Sequence, residues 1–371
     1  MASPDHALLA RIPSLDAARW QALSPHIDSP LALTRLDAAT LARHGLTAAG
    51  QRALAKFDAT RHAADVLALQ RHAIDLITAD ETAYPSALRV IPGAPPVLFV
   101  RGSAAALQAP QLAMVGSRHP TINGARTARD LAFHFASLGL AITSGLAVGI
   151  DAASHGGALA ALGVTIAVCG TGLDQIYPEQ HAALAERILQ RGALVSEFPP
   201  GSPPLARHFV QRNRLISGLA LGVLVVEAAA RSGSLNTARH AGEQGREVFA
   251  IPGSIHNPQS RGCHQLLRQG ATLVESAEDV LRELQNLYIN QSVEIPRAAP
   301  EAPHPPPPRL DNPAEILLDA LGFEPTSLDA LIASTGLSSI TVASLLIALE
   351  HQGRVASDST GRYHRTLEPL L

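Results

Sequence analysis

QLAMVG (111–116), LAITSG (140–145), TIAVCG (165–170), ALVSE (193–197), LGVLVVEA (221–228), REVFAIPG (246–253) and ATLVES (271–276) succeed one another through the middle of the chain. Each is a short apolar run, rich in β-branched residues and bounded by turn formers, which is the pattern of a strand buried on both faces. The stretches between them have the length of crossover helices. This alternation predicts an α/β fold, a doubly wound parallel sheet wrapped by helices, with its ligand crevice at the carboxyl ends of the strands. Polar and glycine-rich residues fall at those ends: Gly116-Ser117-Arg118, Ser144-Gly145, Gly170-Thr171-Gly172 and Ser232-Gly233-Ser234.

Working outward, residues 1–75 are Ala- and Leu-rich with helical spacing, interrupted at Pro13, Pro25, Pro30 and Gly45. Asp37-Ala-Ala-Thr-Leu and Thr47-Ala-Ala-Gly-Gln have the form of helix starts, with Asp or Thr as the cap. Four or five short helices are expected, a small domain of the sterile-alpha or helix-hairpin-helix kind. Residues 76–288 hold the α/β core. Its opening part, DLITADETAYPSALRVIPGAPPVLFVRGS, predicts two strands around a proline-rich bend that extend the sheet at one edge. Residues 289–312 read as a proline-rich linker, extended and unable to build a core. Residues 313–371 predict three helices (AEILLDAL, SLDALIAST, SSITVASLLIALEHQG) and a strand–turn–strand with Gly361 near the turn, a winged helix. Its third helix presents Ser338, Ser339, Thr341 and Ser344 and almost no basic residue, so a groove-reading role and a protein-contact or structural role both stay open.

The net charge of −3 over 371 residues announces no polyanionic partner in bulk. Between Gly201 and Gly270, however, eight arginines face three glutamates. That is either a local field for a polyanion or a solvated helical face. Cys169 and Cys263 stand far apart without metal-ligand spacing, so no disulfide scaffold and no metal site are expected. The opening MASPDHALLARIP lacks the basic start and apolar core of a signal peptide, and no apolar run reaches the roughly 20 residues needed to span a bilayer, so a cytoplasmic protein is expected.

Several chemistries are disfavoured. GxxxxGK[ST], HExxH and GxSxG do not occur. The first strand leads into VGSRHPTINGART in place of GxGxxG, which argues against a dinucleotide-dependent dehydrogenase. What remains is a row of anion-binding elements. Gly116-Ser117-Arg118 offers a backbone turn, a hydroxyl and a guanidinium just before a helix. Arg231-Ser232-Gly233-Ser234-Leu235-Asn236-Thr237 repeats the device. Ahead of the latter lies His208-Phe209-Val210-Gln211-Arg212-Asn213-Arg214. On a helix Arg212 and Arg214 would splay by about 200°. Both reach one phosphate only if the backbone is irregular; otherwise one supports the other's site, for instance by pairing with Glu227 or a helix end. Phe209 is read either as a base-stacking ring or as a core aromatic. Several such sites along one crevice suit a polyphosphate backbone better than one small ligand.

MVGSR…NG, SGLAVGIDAASHGGAL, GTGLDQIYPEQH, SEFPPGSPPLARHFVQRNRLISGLA, VVEAAARSGSLNTARHAGEQGREVFAIPGS and GCHQLLRQGA resemble, in content and order, the DNA-processing protein DprA (Smf) family. The resemblance is close over roughly residues 75–285. It implies an extended Rossmann-like core and a non-catalytic, homodimeric protein of natural transformation. Such a protein binds single-stranded DNA, shields it and helps to load the recombinase RecA, and no cofactor is implied. The family pocket transfers to Ser117, Arg118, Gly145, Arg212, Asn213, Arg214, Ser232 and Ser234. Arg207, His208 and Thr237 join them as candidates by position. Two departures stand out, Val210 where the family has Pro and His264 where it has Asn, and Lys56 is the chain's sole lysine. A nucleotide-cleaving enzyme of related fold is the principal alternative. It would need a carboxylate where this chain reads SGSLNTARHA. A pure adaptor is a third reading, and the arginines clustered at the crevice argue against it.

Overall fold

A computed structural model describes residues 2–288, 312–322, 325–358 and 361–366. The chain opens with a 3-10 helix, Pro4–Arg11, followed by helices α1 (Ala17–Leu23), α2 (Ala38–Arg43), α3 (Ala48–Ala55) and α4 (Ala59–Arg71), with two more 3-10 turns between α1 and α2. Each of these four α-helices begins on a side chain that accepts a first-turn amide: Asp16, Asp37, Thr47 and Asp58. Such caps satisfy amides that a helix start leaves without intrahelical partners. Leu23, Leu54 and Leu69 of these helices, with Leu9 and Leu33 of the 3-10 segments, run into the same core as the first strands of the sheet. Trp20 Nε1 donates to Asp80 Oδ1 at 2.8 Å across that contact. Expected as a small domain to residue 75, the helices share one continuous core with the edge of the sheet.

The sheet has nine strands. β1 (Ile74–Thr78) is followed by α5 (Ser86–Arg89) and by β2 (Val97–Gly102). The alternating core then runs β3 (Gln111–Val115), α6 (Ile122–Ser137), β4 (Ala141–Ser144), α7 (Ile150–Ala160), β5 (Thr165–Val168), α8 (Ala182–Leu189) and β6 (Ala193–Ser196). It continues through α9 (Ala206–Leu219), β7 (Gly222–Val225), α10 (Ser234–Glu243), β8 (Glu247–Ala250), α11 (Arg261–Arg268), β9 (Thr272–Leu273) and α12 (Ala277–Tyr288). The spatial order is β1-β2-β6-β5-β4-β3-β7-β8-β9. All pairings from β6 to β9 are parallel, and β2 and β1 add antiparallel strands at one edge. All seven apolar runs became strands, and the proline-rich bend became the edge extension.

Burial explains why these runs carry no polar alternation. In β3, Leu112 and Met114 pack with α6, α7 and α12 on one face, while Ala113 and Val115 join the core on the other. The chain steps from β3 outward to β6, then returns to the other side of β3 to form β7. The order therefore reverses at β3, the usual ligand position of such sheets, although here the loops after β3 and β7 are tied together, Ser117 N donating to the Glu227 carbonyl at 2.7 Å.

The C-terminal segment comprises α13 (Pro313–Leu321), α14 (Leu328–Thr335), α15 (Ser339–His351) and the ribbon of β10 (Val355–Ser357) with β11 (Tyr363–Arg365). It has its own apolar centre, with Leu317, Leu331, Val342 and Leu346 fully buried. This is the predicted winged helix; the proline-rich stretch before it lies outside the described residues, apart from Asn312.

The tightest helix contact is that of α6 with α7. A Cβ on Gly157 would lie 2.1 Å from the Arg129 carbonyl oxygen and 3.0 Å from Ala132 Cβ. Backbone cannot yield as a side-chain tip can. Gly157→Ala is therefore expected to lower unfolding free energy by about 1–3 kcal/mol, read by chemical denaturation; a change within error would show that the two helices slide apart freely.

Candidate nucleic-acid interface

The crevice is built from four strand ends and the first turns of α9. Helix α9 is regular from Ala206 to Leu219, so Arg212 and Arg214 diverge, and each is held by a different part of the protein. Arg212 is buried, 4% exposed. Its Nη1 donates to the Gly145 carbonyl at 2.7 Å and also to the Val168 carbonyl, so one guanidinium ties the loop after β4 to the end of β5. Asp151, at the start of α7, accepts from the amides of Gly145 at 3.1 Å and Ala147 at 3.3 Å. Gly145 has no room for a side chain: a Cβ would stand 2.6 Å from Arg212 Nη1 and 2.7 Å from Asp151 Oδ2. Burial drives the pKa of Asp151 up and that of Arg212 down, and each charge opposes the other's shift. Buried charges persist when they are paired and hydrogen-bonded in this way.

Arg214 makes a two-pronged salt bridge to Glu197, Nη1 to Oε1 and Nη2 to Oε2, both at 2.7 Å, and its Nη2 also donates to the Gly93 carbonyl at 2.9 Å. It fastens α9 to the end of β6 and to the loop before β2. Both arginines, expected as capture cations, are thus engaged by the protein, and neither is paired with Glu227. Asn213, between them, donates to the Gly233 carbonyl and to Asn236 Oδ1, each at 3.3 Å. That contact sets the start of α10 against α9.

Glu227 has a different task. Its carboxylate accepts from Thr121 N at 2.9 Å and from Thr121 Oγ1 at 2.7 Å. A Cβ on Gly124 would come within 2.3 Å of it. The acid therefore covers the first turn of α6, and burial holds its pKa above the usual carboxylate range. The helix start after the first parallel strand, read from sequence as a phosphate seat, is filled from within by an anion. Ser117 is also buried, and its Oγ accepts from the amide of His119 at 3.0 Å.

Charge remains available at the rim. Arg118, Arg207 and Arg231 are exposed, and none has a hydrogen-bond or ion-pair partner among the described residues. Arg118 lies close enough to Arg212 for the two charges to be felt. At the start of α10, Ser232 Oγ and Ser234 Oγ are 2.8 Å apart; Ser234 and Thr237 are buried. His208 stacks on Phe198, with ring centroids 4.2 Å apart and planes 20° apart. Phe209 meets Tyr177 at 5.4 Å and closes over Gly170; it is half-buried, and Tyr177 is 48% exposed. Among the described residues no group of three metal-ligating side chains gathers. Asp151 and Glu197 escaped sequence reasoning. Nothing in IDAASHGGAL marks an acid aimed back at a loop, although Glu197 at the end of an apolar run offered a faint signal.

His155, on α7, is fully buried with Nδ1 2.7 Å from Thr165 Oγ1. Burial, reinforced by the charges of His181 and Arg212, pushes its pKa down to about 3.

A Rossmann-like core whose strand ends carry exposed arginines, serine hydroxyls and half-open aromatic rings belongs to the class of α/β proteins that receive phosphate-bearing ligands at a switch point. Similarity to known proteins narrows the class. Residues 75–285 match the family model for DNA recombination-mediator protein A, and residues 300–359 match that for the DprA winged helix domain. Protein Smf of Escherichia coli is 43% identical over 341 residues, covering 92% of this chain and 88% of the relative. A solved structure of DNA processing protein A from Streptococcus pneumoniae superimposes with a TM-score of 0.66 at 36% identity, covering 76% of this chain and 99% of that one. The Helicobacter pylori protein, solved for its single-stranded DNA binding mode, gives 0.53 at 28% identity, covering 58% and 97%. This chain belongs to the DprA (Smf) family.

The buried groups make two outcomes testable. Arg212→Ala leaves Asp151 unpaired beneath the crevice and is expected to cost about 3 kcal/mol of stability, whereas Arg118→Ala should leave the denaturation midpoint unmoved. For His155, the unfolded chain takes up the proton first as pH falls, so stability is lost from about pH 6.5 toward about 3. His155→Gln removes that loss. Below about pH 6 its stability should fall less steeply than that of the parent protein, by up to about 1.4 kcal/mol per pH unit; equal slopes would place the proton elsewhere.

Proposed function

We propose that this protein is a non-catalytic binder of single-stranded DNA that acts as a recombination mediator in the cytoplasm, protecting incoming strands and loading RecA during natural transformation. One observation carries the reading: Arg118, Arg207 and Arg231 stand exposed at the rim without protein partners among the described residues, on a scaffold that spends Arg212 and Arg214 internally. A cation left unpaired beside main-chain amides and hydroxyls suits a backbone phosphate, which carries no sequence. The Helicobacter pylori relative, described for single-stranded DNA binding, supports the same ligand. Of the predicted contact residues, we assign Arg118, Arg207, His208, Ser232 and Ser234 to the strand. Arg212, Asn213, Arg214, Gly145, Thr237 and Ser117 hold the crevice in shape.

The enzymatic alternative would need a carboxylate at the start of α10. The start of α10 presents Ser234, Asn236 and Thr237, and Glu227 is committed to Thr121. For a homodimer, the supporting feature is a cleft of about 530 Å³ between α10 and α11, lined by Leu235, Ala238, Val248, Leu266 and Ala271 among others. A second copy would cover these apolar groups. A solution mass equal to one chain would count against that part.

The deciding experiment is a salt titration of binding to single- and double-stranded oligonucleotides. Preference for the single strand, tolerance of sequence and a steep salt dependence are expected. Arg118→Ala and Arg207→Ala should each reduce the log–log slope by about 0.7 per lost phosphate contact and weaken all sequences alike. Equal, weak binding to both forms would turn the crevice into a small-nucleotide site.

A further inference from the structure

A cleft of about 500 Å³ separates the N-terminal helices from the lip of the core. That lies within the roughly 300–1,000 Å³ of ligand clefts. One wall is the end of α3 and the start of α4, with Lys56, Phe57 and Arg61; the other is Phe198, Pro199 and His208. The cleft adjoins the crevice, because His208 lies one helical turn before Arg212 on α9. The two walls are held in place: Arg11 pairs with Asp65 through two contacts of 2.6 Å and also donates to the Pro200 carbonyl at 3.3 Å.

Its chemistry matches that of the crevice rim. Lys56 and Arg61 are exposed, and neither charged group has a partner among the described residues. Asp58 is the acid between them, and its Oδ1 accepts from the amides of Thr60 and Arg61 as the cap of α4. Rings line both sides. Phe57 tilts against His62 at 5.7 Å, and His208 stacks on Phe198. Cations beside aromatic faces in one groove form the combination that tracks single strands without reading sequence.

We infer that this cleft receives the continuation of a single strand bound in the crevice, so that the N-terminal helices are part of the nucleic-acid surface. The inference rests on the binding function proposed above. It assigns to Lys56 and Arg61 phosphate contacts made only by strands long enough to pass His208.

Lys56 being the sole lysine, its ammonium can be followed by acylation with an N-hydroxysuccinimide ester and peptide mass spectrometry, with the terminal α-amine as internal reference. The full chain is labelled with oligothymidylates of about 6 to about 30 nucleotides, at concentrations where fluorescence anisotropy shows saturation. The longer strands are expected to slow Lys56 acylation roughly tenfold while the reference amine is unaffected. The double variant Lys56→Glu, Arg61→Glu should bind the longest strand roughly tenfold more weakly, with affinity for the shortest kept within about twofold. Protection as strong with the shortest strand as with the longest overturns the assignment to a continuing strand. If saturated protein keeps its Lys56 reactivity at all lengths, or if charge reversal leaves long-strand affinity unchanged, the inference is overturned while the binding function stands. Failure of any oligonucleotide to bind overturns both.

Discussion

A buried guanidinium holds the crevice together. Arg212 reaches from α9 to carbonyls at the ends of two strands and is balanced by Asp151, which gathers the amides of the loop beside it. Carrying an arginine out of water costs several kcal/mol unless every donor finds an acceptor and a counter-charge lies near. Arg212 meets them in part, through two carbonyls on Nη1 and the counter-charge of Asp151, while its buried Nε has no partner among the described residues; the contacts it makes set Gly145, Val168 and the start of α7 in a fixed relation. The loops at the strand ends can then be short and still be rigid. Arg214 does the same further along, clamping α9 to Glu197 and Gly93. The helix between the last two halves of the sheet is thereby locked in orientation, with its first turn pointing into the crevice.

That arrangement sorts charges by task. Interior cations and acids are spent on carbonyls, amides and one another; those left at the rim have only solvent. Glu227 carries the sorting furthest, since it fills the place at the start of α6 where related folds seat a phosphate. With that place occupied, an anionic ligand meets the loops and rim arginines along the crevice. A ligand with many phosphates, laid along several weak sites, gains from such a layout; a dinucleotide centred on one helix start does not.

The continuous core between the N-terminal helices and the sheet edge has a mechanical consequence. Because Leu9, Leu23 and Leu54 belong to the same packed interior as β1 and β2, the helices cannot swing as a tethered module would. Any surface they offer beside α9 is presented at a constant distance from the crevice. The winged helix differs: its centre is its own. On α15, Ile340 and Ile347 stand exposed at 78% and 62% in place of basic residues.

Much of this was legible in the chain itself. The seven apolar runs became seven parallel strands; five of them, β3 to β7, are buried throughout, and a strand buried on both faces must be apolar, a demand that sequence displays directly. The caps Asp37 and Thr47 were legible because a cap acts within three residues of itself. The ordered motifs of the family were legible for the same reason, being local in sequence. The partners of Arg212 and Arg214 were not. Apart from the Gln211 carbonyl one turn before Arg214, their acceptors lie 17 to 121 residues away, and an exposed arginine and a buried one are the same letter. Sequence alone determined the sheet, the helices that wrap it, the winged helix and the stretch where cations gather. Which of those cations brace the scaffold and which remain free for a ligand was decided only by the tertiary structure, because a charge is spent or spared by the groups that folding brings within about 3 Å of it.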